Sequence, residues 1–319
     1  KPIRDRKVLD PYYDLVADML KIRPVPAWKQ LPKSKIMEET ANRLGIPGNL
    51  RSLDLAVFFS DQPDKEGVLF NDPYKRGGPQ QSTCEYTGWC VAGCNIHAKN
   101  TLDLNYLWFA EKKYGAEIET EKEVFKIQPE KDGYRVFFTD RSDNSKRTGD
   151  VMGKKVIVSA GALGSSEILL RCKNQYQTLP KLSDALGLNF SGNADVLAGV
   201  ASIEPHLVVE PTKGPTITRS IEFNSQNFIV EEAGYPKEFA RIVESSVFSK
   251  GIVFSYVNAL IRNASFSGNL RNLIRDLFDS DEPAENILTF LVMGEDAADG
   301  KIRLRKDERE RELIKKAIA

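Results

Sequence analysis

The sequence predicts an α/β fold, α+β overall, on three observations. Strand-like and helix-like segments alternate along 319 residues without internal repeats or low-complexity tracts. At "KKVIVSAGALGSSEILLRC" a β-branched run enters a small-residue turn and then a helix, which is one unit of a dinucleotide-type fold. At "EVFKIQPEKDGYRVFF" two apolar arms flank Lys131, Asp132 and Gly133, the pattern of a hairpin.

Composition bounds the rest. The chain is 41% hydrophobic and 28% charged, with 45 basic and 45 acidic residues, so it can bury a large core and has no excess charge for a polyanion. Trp28, Trp89 and Trp108 are too scattered to form a stacking platform, so nucleic-acid binding is not expected. No stretch approaches the roughly 20 apolar residues of a membrane span. Four cysteines, three of them clustered, do not resemble a many-bridged secreted scaffold, and a reducing, cytoplasmic compartment is expected. The chain opens on Lys1 rather than Met, which leaves room for a targeting segment upstream.

The elements follow in order. Residues 10 to 22 space Tyr13, Val16, Met19 and Leu20 at helical intervals behind a first-turn proline. Residues 35 to 46 form a second amphipathic helix stopped at Gly45, and residues 67 to 81 read as loop. From Thr101 a third helical pattern ends on Gly115. "AEIETEKEVFKIQPEKDGYRVFFTD" reads as a strand, a short connection and then the hairpin, with Val124 and Ile127 before the turn and Tyr134 to Phe138 on the return. Residues 140 to 150 are a polar loop. Val156 to Val158 then form a strand, Ala160, Gly161 and Ala162 a turn, and Ser165 or Ser166 opens a helix carrying Ile168, Leu169 and Leu170. The ending "RLRKDERERELIKKAIA" reads as a solvated helix.

Two places invite chemistry. The turn at 160–162 lacks bulky side chains, so a cofactor can approach main-chain amides beside the positive end of a helix; the alternative is a tight strand-to-helix connection, since no G-x-G-x-x-G fingerprint occurs. In "CEYTGWCVAGC", Cys84, Cys90 and Cys94 are spaced C-x5-C-x3-C, with Gly88 and Gly93 letting the chain fold tightly. Thiolates suit an iron–sulfur cluster, or a zinc ion if His97 completes a Cys3His set; the other reading is structural thiols, reduced or in a disulfide. Cys172 reads as a small core residue.

Several segments in this order, "AKNTLDLNYL", "SAGALGSSEILLR" and "LGLNFSGNAD", then "GPTITRSIEF" with "FIVEEAGYP" and "LVMGEDAADGKIRL", resemble the interior of a glucose–methanol–choline (GMC) oxidoreductase, most like its cholesterol-oxidase branch. The resemblance runs from about residue 8 to about residue 304. It implies an FAD-binding Rossmann-like domain interleaved with an antiparallel-sheet substrate domain, with hydride passing from an alcohol carbon to the flavin and onward to oxygen or another electron acceptor. It also implies that both domains are partial here, because the N-terminal FAD fingerprint and the C-terminal segment with the catalytic histidine are absent. The chain's two histidines, His97 and His206, lie outside that context.

The resemblance also implies roles for particular residues. Val124 falls where a backbone group meets the adenine, and Ala160, Gly161 and Ala162 fall along the ribose and phosphates. Asn193 and Asp195 match a stretch near the flavin in which Ala194 replaces the usual glycine; a plain turn is the alternative for Asn193. Glu231 aligns with a carboxylate of the substrate cavity that moves a proton during double-bond isomerisation, and a solvated acidic loop beside Glu232 is its alternative. Some sugar dehydrogenases of the family carry a three-cysteine iron–sulfur cluster at a similar spacing, whereas cholesterol-oxidase-like relatives share such cysteines without an established cluster. The expected division is 1–83 as substrate domain and connecting helices, 84–196 as FAD-binding portion with the cysteine-rich loop, and 197–319 as the substrate-binding cap. The expected activity is FAD-dependent oxidation of an alcohol, a sterol among the candidates. The alternatives are an electron-transfer or non-catalytic module, or an iron–sulfur-linked sugar or polyol dehydrogenase.

Overall fold

Prolines at the first turn start two helices, and left-handed residues, Lys21 and Gly115, close two. The computed structural model describes residues 5–143, 145–201, 208–240 and 287–304. In chain order the elements are α1 (Asp10–Leu20), α2 (Pro32–Arg43), β1 (Leu50–Ser52), β2 (Leu69–Phe70), β3 (Gln81–Ser82), α3 (Tyr106–Tyr114), β4 (Lys122–Glu130), β5 (Gly133–Asp140), β6 (Thr148–Gly153), α4 (Gly161–Leu170), β7 (Leu188–Phe190), β8 (Val196–Ala201), β9 (Arg219–Phe223), β10 (Phe228–Ala233), β11 (Ile287–Gly294) and β12 (Gly300–Lys301). They fall into two compact units, residues 1–116 with 194–295 and residues 117–193 with 296–319.

The first unit is built on a five-stranded antiparallel sheet in the order β1-β9-β10-β11-β8. Helix α2 covers one face of it. Lys33, Met37 and Ala41, one helical turn apart, are its buried stripe, and Met37 and Ala41 pack with Ile221, Leu50, Phe223 and Phe290 of the sheet. A second core gathers Leu31, Val57, Phe59, Cys84, Tyr86, Cys94 and Ala98. Asn100 ties the loops beside it, accepting from Gln81 Nε2 at 2.7 Å and donating to the Leu20 carbonyl at 2.7 Å and the Tyr74 hydroxyl at 2.9 Å.

The second unit is a β4-β5-β6 meander backed by α4, with a small β7-β12 pair beside it. Cys172 is fully buried in a π-helical turn that extends α4, and its Sγ accepts the Ile127 N–H at 3.2 Å while Thr178 Oγ1 donates to the Ile127 carbonyl at 2.7 Å. That pair of bonds pins the helix to β4 just beyond a register shift between Val124 and Lys126.

Several expectations change. Residues 116–121 are not a strand; β4 begins at Lys122 and runs straight into the hairpin. Part of the expected polar loop is β6, whose short, glycine-bearing sequence hides a strand that exists because Val151 pairs with Val136. The expected loop at 67–81 contains β2, and α2 starts at Pro32 rather than residue 35. Helix α4 starts at Gly161, before the serines: Ser165 Oγ accepts the Ala160 N–H at 3.0 Å from more than a turn inside the helix instead of preceding it as a cap. Val156 to Val158, expected as a strand, have no regular secondary structure and make no ladder among the described residues. The ending at 305–319 and His206 lie outside the described residues.

Candidate functional site

The second unit holds an open cleft of about 550 Å³, lined by Val124 and Phe125 of β4, the run Val156 to Ala160, and Gly164, Ile168 and Arg171 on and after α4. The run alternates half-buried Val156 and Val158 with exposed Ile157 and Ser159, and Ile157 is 89% exposed. Apolar side chains and uncovered main chain therefore meet at the start of a helix. Gly161 sits there at φ +70°, a left-handed conformation that glycine adopts without strain, and a Cβ added to it would meet open space. The geometry brings together Val124, Ala160, Gly161 and Ala162: the first two line the cleft and the others form the helix turn entered from it. A flat apolar ring fits the valine walls, and an anionic group fits the N-terminal end of α4, where first-turn N–H groups have no helical partner.

Asn193 closes the second unit and Asp195 belongs to the first. Asn193 (φ +57°) and Ala194 (φ +48°) are both left-handed, so the alanine in the glycine's place keeps a turn that strains it.

Glu231 lies in β10, opposite Ser220 of β9 and Leu291 of β11. It is 7% exposed, so the solvated-loop alternative falls. Burial, and then the neighbouring Glu232 charge, push its pKa above the ordinary carboxylate value. Strand alternation sends Glu232 to the other face, beneath α2, where it is fully buried. Its carboxylate accepts the Thr218 N–H at 3.0 Å, the Arg219 N–H at 2.8 Å and the Thr218 hydroxyl. Lys33 Nζ, equally buried, stands 3.8 Å away and donates to the Pro215 carbonyl at 2.5 Å and the Thr216 carbonyl at 2.9 Å. Burial raises the Glu232 pKa and lowers that of Lys33, each against the pull of the other. Sequence reasoning missed this pair. Its available signal was a lysine at the head of the same helical stripe as Met37 and Ala41.

The cysteine loop is mostly core. Cys84 Sγ accepts the Tyr86 N–H at 3.3 Å, and Cys94 Sγ accepts those of Ala98 and Lys99 at 3.2 Å each. Both thiols are buried in the cluster with Phe59 and Tyr86, whose rings stack at 5.8 Å, while Cys90 is half-buried and His97 exposed. Burial pushes the Cys84 thiol up to about 12. All four cysteines are free, and among the described residues no three His, Cys, Asp or Glu side chains are gathered to hold a metal ion. The expected iron–sulfur and zinc ligand sets are therefore not supported. The sulfurs of Cys84 and Cys94 serve instead to bond the backbone of tight turns, where Tyr86, Cys94 and His97 all have positive φ, and Cys90 contributes its carbonyl to the Lys99 ammonium at 3.0 Å.

Residues 74–219 match the family model of GMC oxidoreductase. The chain is 35% identical over 208 residues to a cholesterol oxidase of Acinetobacter baumannii, covering 62% of this chain and 36% of that protein. It is 29% identical over 222 residues to a cholesterol oxidase of Mycobacterium tuberculosis, covering 68% and 37% respectively. It thus spans a little over a third of the length of these relatives. Among the described residues, no helix is long and apolar enough to cross a membrane.

Proposed function

Because this chain belongs to the GMC oxidoreductase family, as a cholesterol-oxidase-like member, we propose that it is an FAD-dependent oxidoreductase acting on the CH–OH group of an alcohol, with a sterol as its substrate class. The observation that carries the reading is the cleft of the second unit, whose apolar walls and open helix start suit a nucleotide. Bound FAD would supply acceptance of the hydride leaving the alcohol carbon. Val124 and Val156 would hold the adenine by apolar contact, Ala160, whose N–H is taken by Ser165 Oγ, would line the cleft, and Gly161 and Ala162 would offer main-chain N–H groups to a phosphate. Asn193 and Asp195 are proposed to serve the flavin end of the cofactor.

Glu231 is proposed as the acid–base group of a second step. The ketone formed from a sterol with a neighbouring double bond can isomerise when a carboxylate removes the proton between carbonyl and alkene and returns it to the far alkene carbon. This shift consumes no oxidant. A carboxyl group whose pKa is raised by burial is suited to both halves of it, holding the proton between removal and return. The electron acceptor is proposed to be oxygen, as the oxidase relatives' name suggests.

The test is the full-length protein purified with FAD and offered a 3β-hydroxysterol, a simple sugar and a primary alcohol. Flavin reduction by the sterol alone is the expected result, and reduction by the sugar alone would overturn the sterol assignment. In Glu231→Gln the ratio of isomerisation to oxidation should fall about 10²-fold or more; an unchanged ratio removes Glu231 from the step.

A further inference from the structure

We propose that Lys33 and Glu232 are positioning residues for Glu231: Glu232, anchored by Lys33, takes over backbone N–H groups of the neighbouring strand, ends the β9-β10 ladder at the Ser220–Glu231 rung and fixes the Glu231 carboxylate at the resulting fork. This rests on the acid–base reading of Glu231 given above.

The register carries the argument. The ladder pairs Phe228 with Phe223, Ile229 with Glu222, Val230 with Ile221 and Glu231 with Ser220. The next rung would join Glu232 to Arg219. Instead, the N–H groups of Arg219 and Thr218 bond the Glu232 side chain. Two residues further on, the Gly234 N–H bonds the Thr216 carbonyl at 2.5 Å, one residue out of step with the ladder. The carboxylate is thus wedged into a register slip, which is how strands re-aim a side chain.

The wedge is held from outside the sheet. Lys33 donates to the carbonyls of Pro215 and Thr216 on the approach to β9 while facing Glu232, and Ser34 of the same helix meets the Thr218 hydroxyl at 2.7 Å. The first turn of α2 therefore clamps both strands at the fork. The site is tight, since a Cβ added to Gly234 would touch the Pro215-bound ammonium and the Pro211 carbonyl.

Among the described residues, the charges around Glu231 are few. Its own strand contributes Glu232 across the backbone. On its own face β1 contributes Arg51, in the same row beyond Ser220, and β9 contributes Glu222, two positions along and paired with Arg51 at 3.2 Å, while β11 contributes Thr289, Leu291 and Met293 and no charge. Removing the Glu232 charge therefore removes the like charge that helps hold the Glu231 proton.

The experiment uses the full-length protein with FAD bound, labelled with ¹³C at the glutamate carboxyl carbons. Glu231→Gln identifies the Glu231 resonance, and pH titrations are compared among wild type, Glu232→Gln and Thr218→Val, with isomerisation of a supplied β,γ-unsaturated ketone followed on the same samples. The expected result is a Glu231 midpoint that moves to lower pH in Glu232→Gln, with the rate of the supplied ketone falling about 10–100-fold through kcat rather than KM. Thr218→Val, which removes one bond to the wedge and keeps its charge, should lower the rate by less. If Glu232→Gln does not fold, Thr218→Val decides alone: a lowered kcat supports the proposal and a wild-type kcat overturns it. A wild-type midpoint and rate in both variants likewise overturns it. If Glu231→Gln keeps full isomerisation while the midpoint still moves in Glu232→Gln, the acid–base reading fails and the coupling between the two carboxylates stands.

Discussion

Cys84 shows how one side chain can look like a ligand and behave as core. It is buried in the core cluster that includes Leu31, Phe59 and Tyr86, and its sulfur accepts the Tyr86 N–H. Burial is the main reason that its thiol is pushed up to about 12 from the ordinary 9.0. The sign of the consequence is fixed by linkage. The folded state keeps the proton where the unfolded chain releases it, so the contribution is fully present below about pH 9 and is lost as pH rises toward 12. Urea unfolding measured at several pH values across that window should show stability falling with pH, and falling less steeply in Cys84→Ala. Equal slopes in the two proteins would mean that the thiol is ionised in the folded state after all. The C-x5-C-x3-C spacing was legible in the sequence, but burial was not. Spacing cannot distinguish sulfurs that converge on an ion from sulfurs that each bond their own turn.

At the scale of elements, Gly133 and Gly161 are both in positive-φ conformations, for different reasons. Gly133 opens β5 at φ +152°, and a Cβ there would fall on the Gly153 carbonyl oxygen of β6. Gly161 has the open cleft beside it. Gly133→Ala should therefore cost about 2 kcal/mol or more, through crowding and strain together. Gly161→Ala should cost about 1–2 kcal/mol, from the left-handed conformation alone. Chemical unfolding of the two variants, followed by a probe in the meander, checks the order; a larger loss for Gly161→Ala would contradict it. The hairpin around Gly133 was readable because its turn residues and apolar arms lie within one short stretch. Strand β6 was not, because its reason to be a strand is its partner: the Val136–Val151 rung is a tertiary fact that no local pattern encodes. The helix start was misread for a related reason. Ser165 looks like a cap, and its hydroxyl does bond a backbone N–H, but that of Ala160 behind it.

For the whole molecule, what was legible was sequence that recurs in relatives, and what was missed was paired across long distances in the chain. The cofactor turn and its helix are contiguous, whereas the Lys33–Glu232 pair joins residues almost two hundred positions apart. The two units should accordingly respond differently to the proposed cofactor. Ligand that binds only the folded state adds about 2.7 kcal/mol of stability at a hundred times its dissociation constant. Hydrogen exchange with and without FAD should place the largest gain in protection at Val156 to Ala160 and the first turn of α4, where the main chain is uncovered and Val156 to Val158 make no ladder among the described residues. The buried stripe of α2 should change less, because its hydrogen bonds are complete within its own unit. Protection that rose evenly across both units would indicate global stabilisation without a local contact. An increase confined to α2 and β10 would locate the nucleotide in the first unit and remove the cleft from the cofactor site.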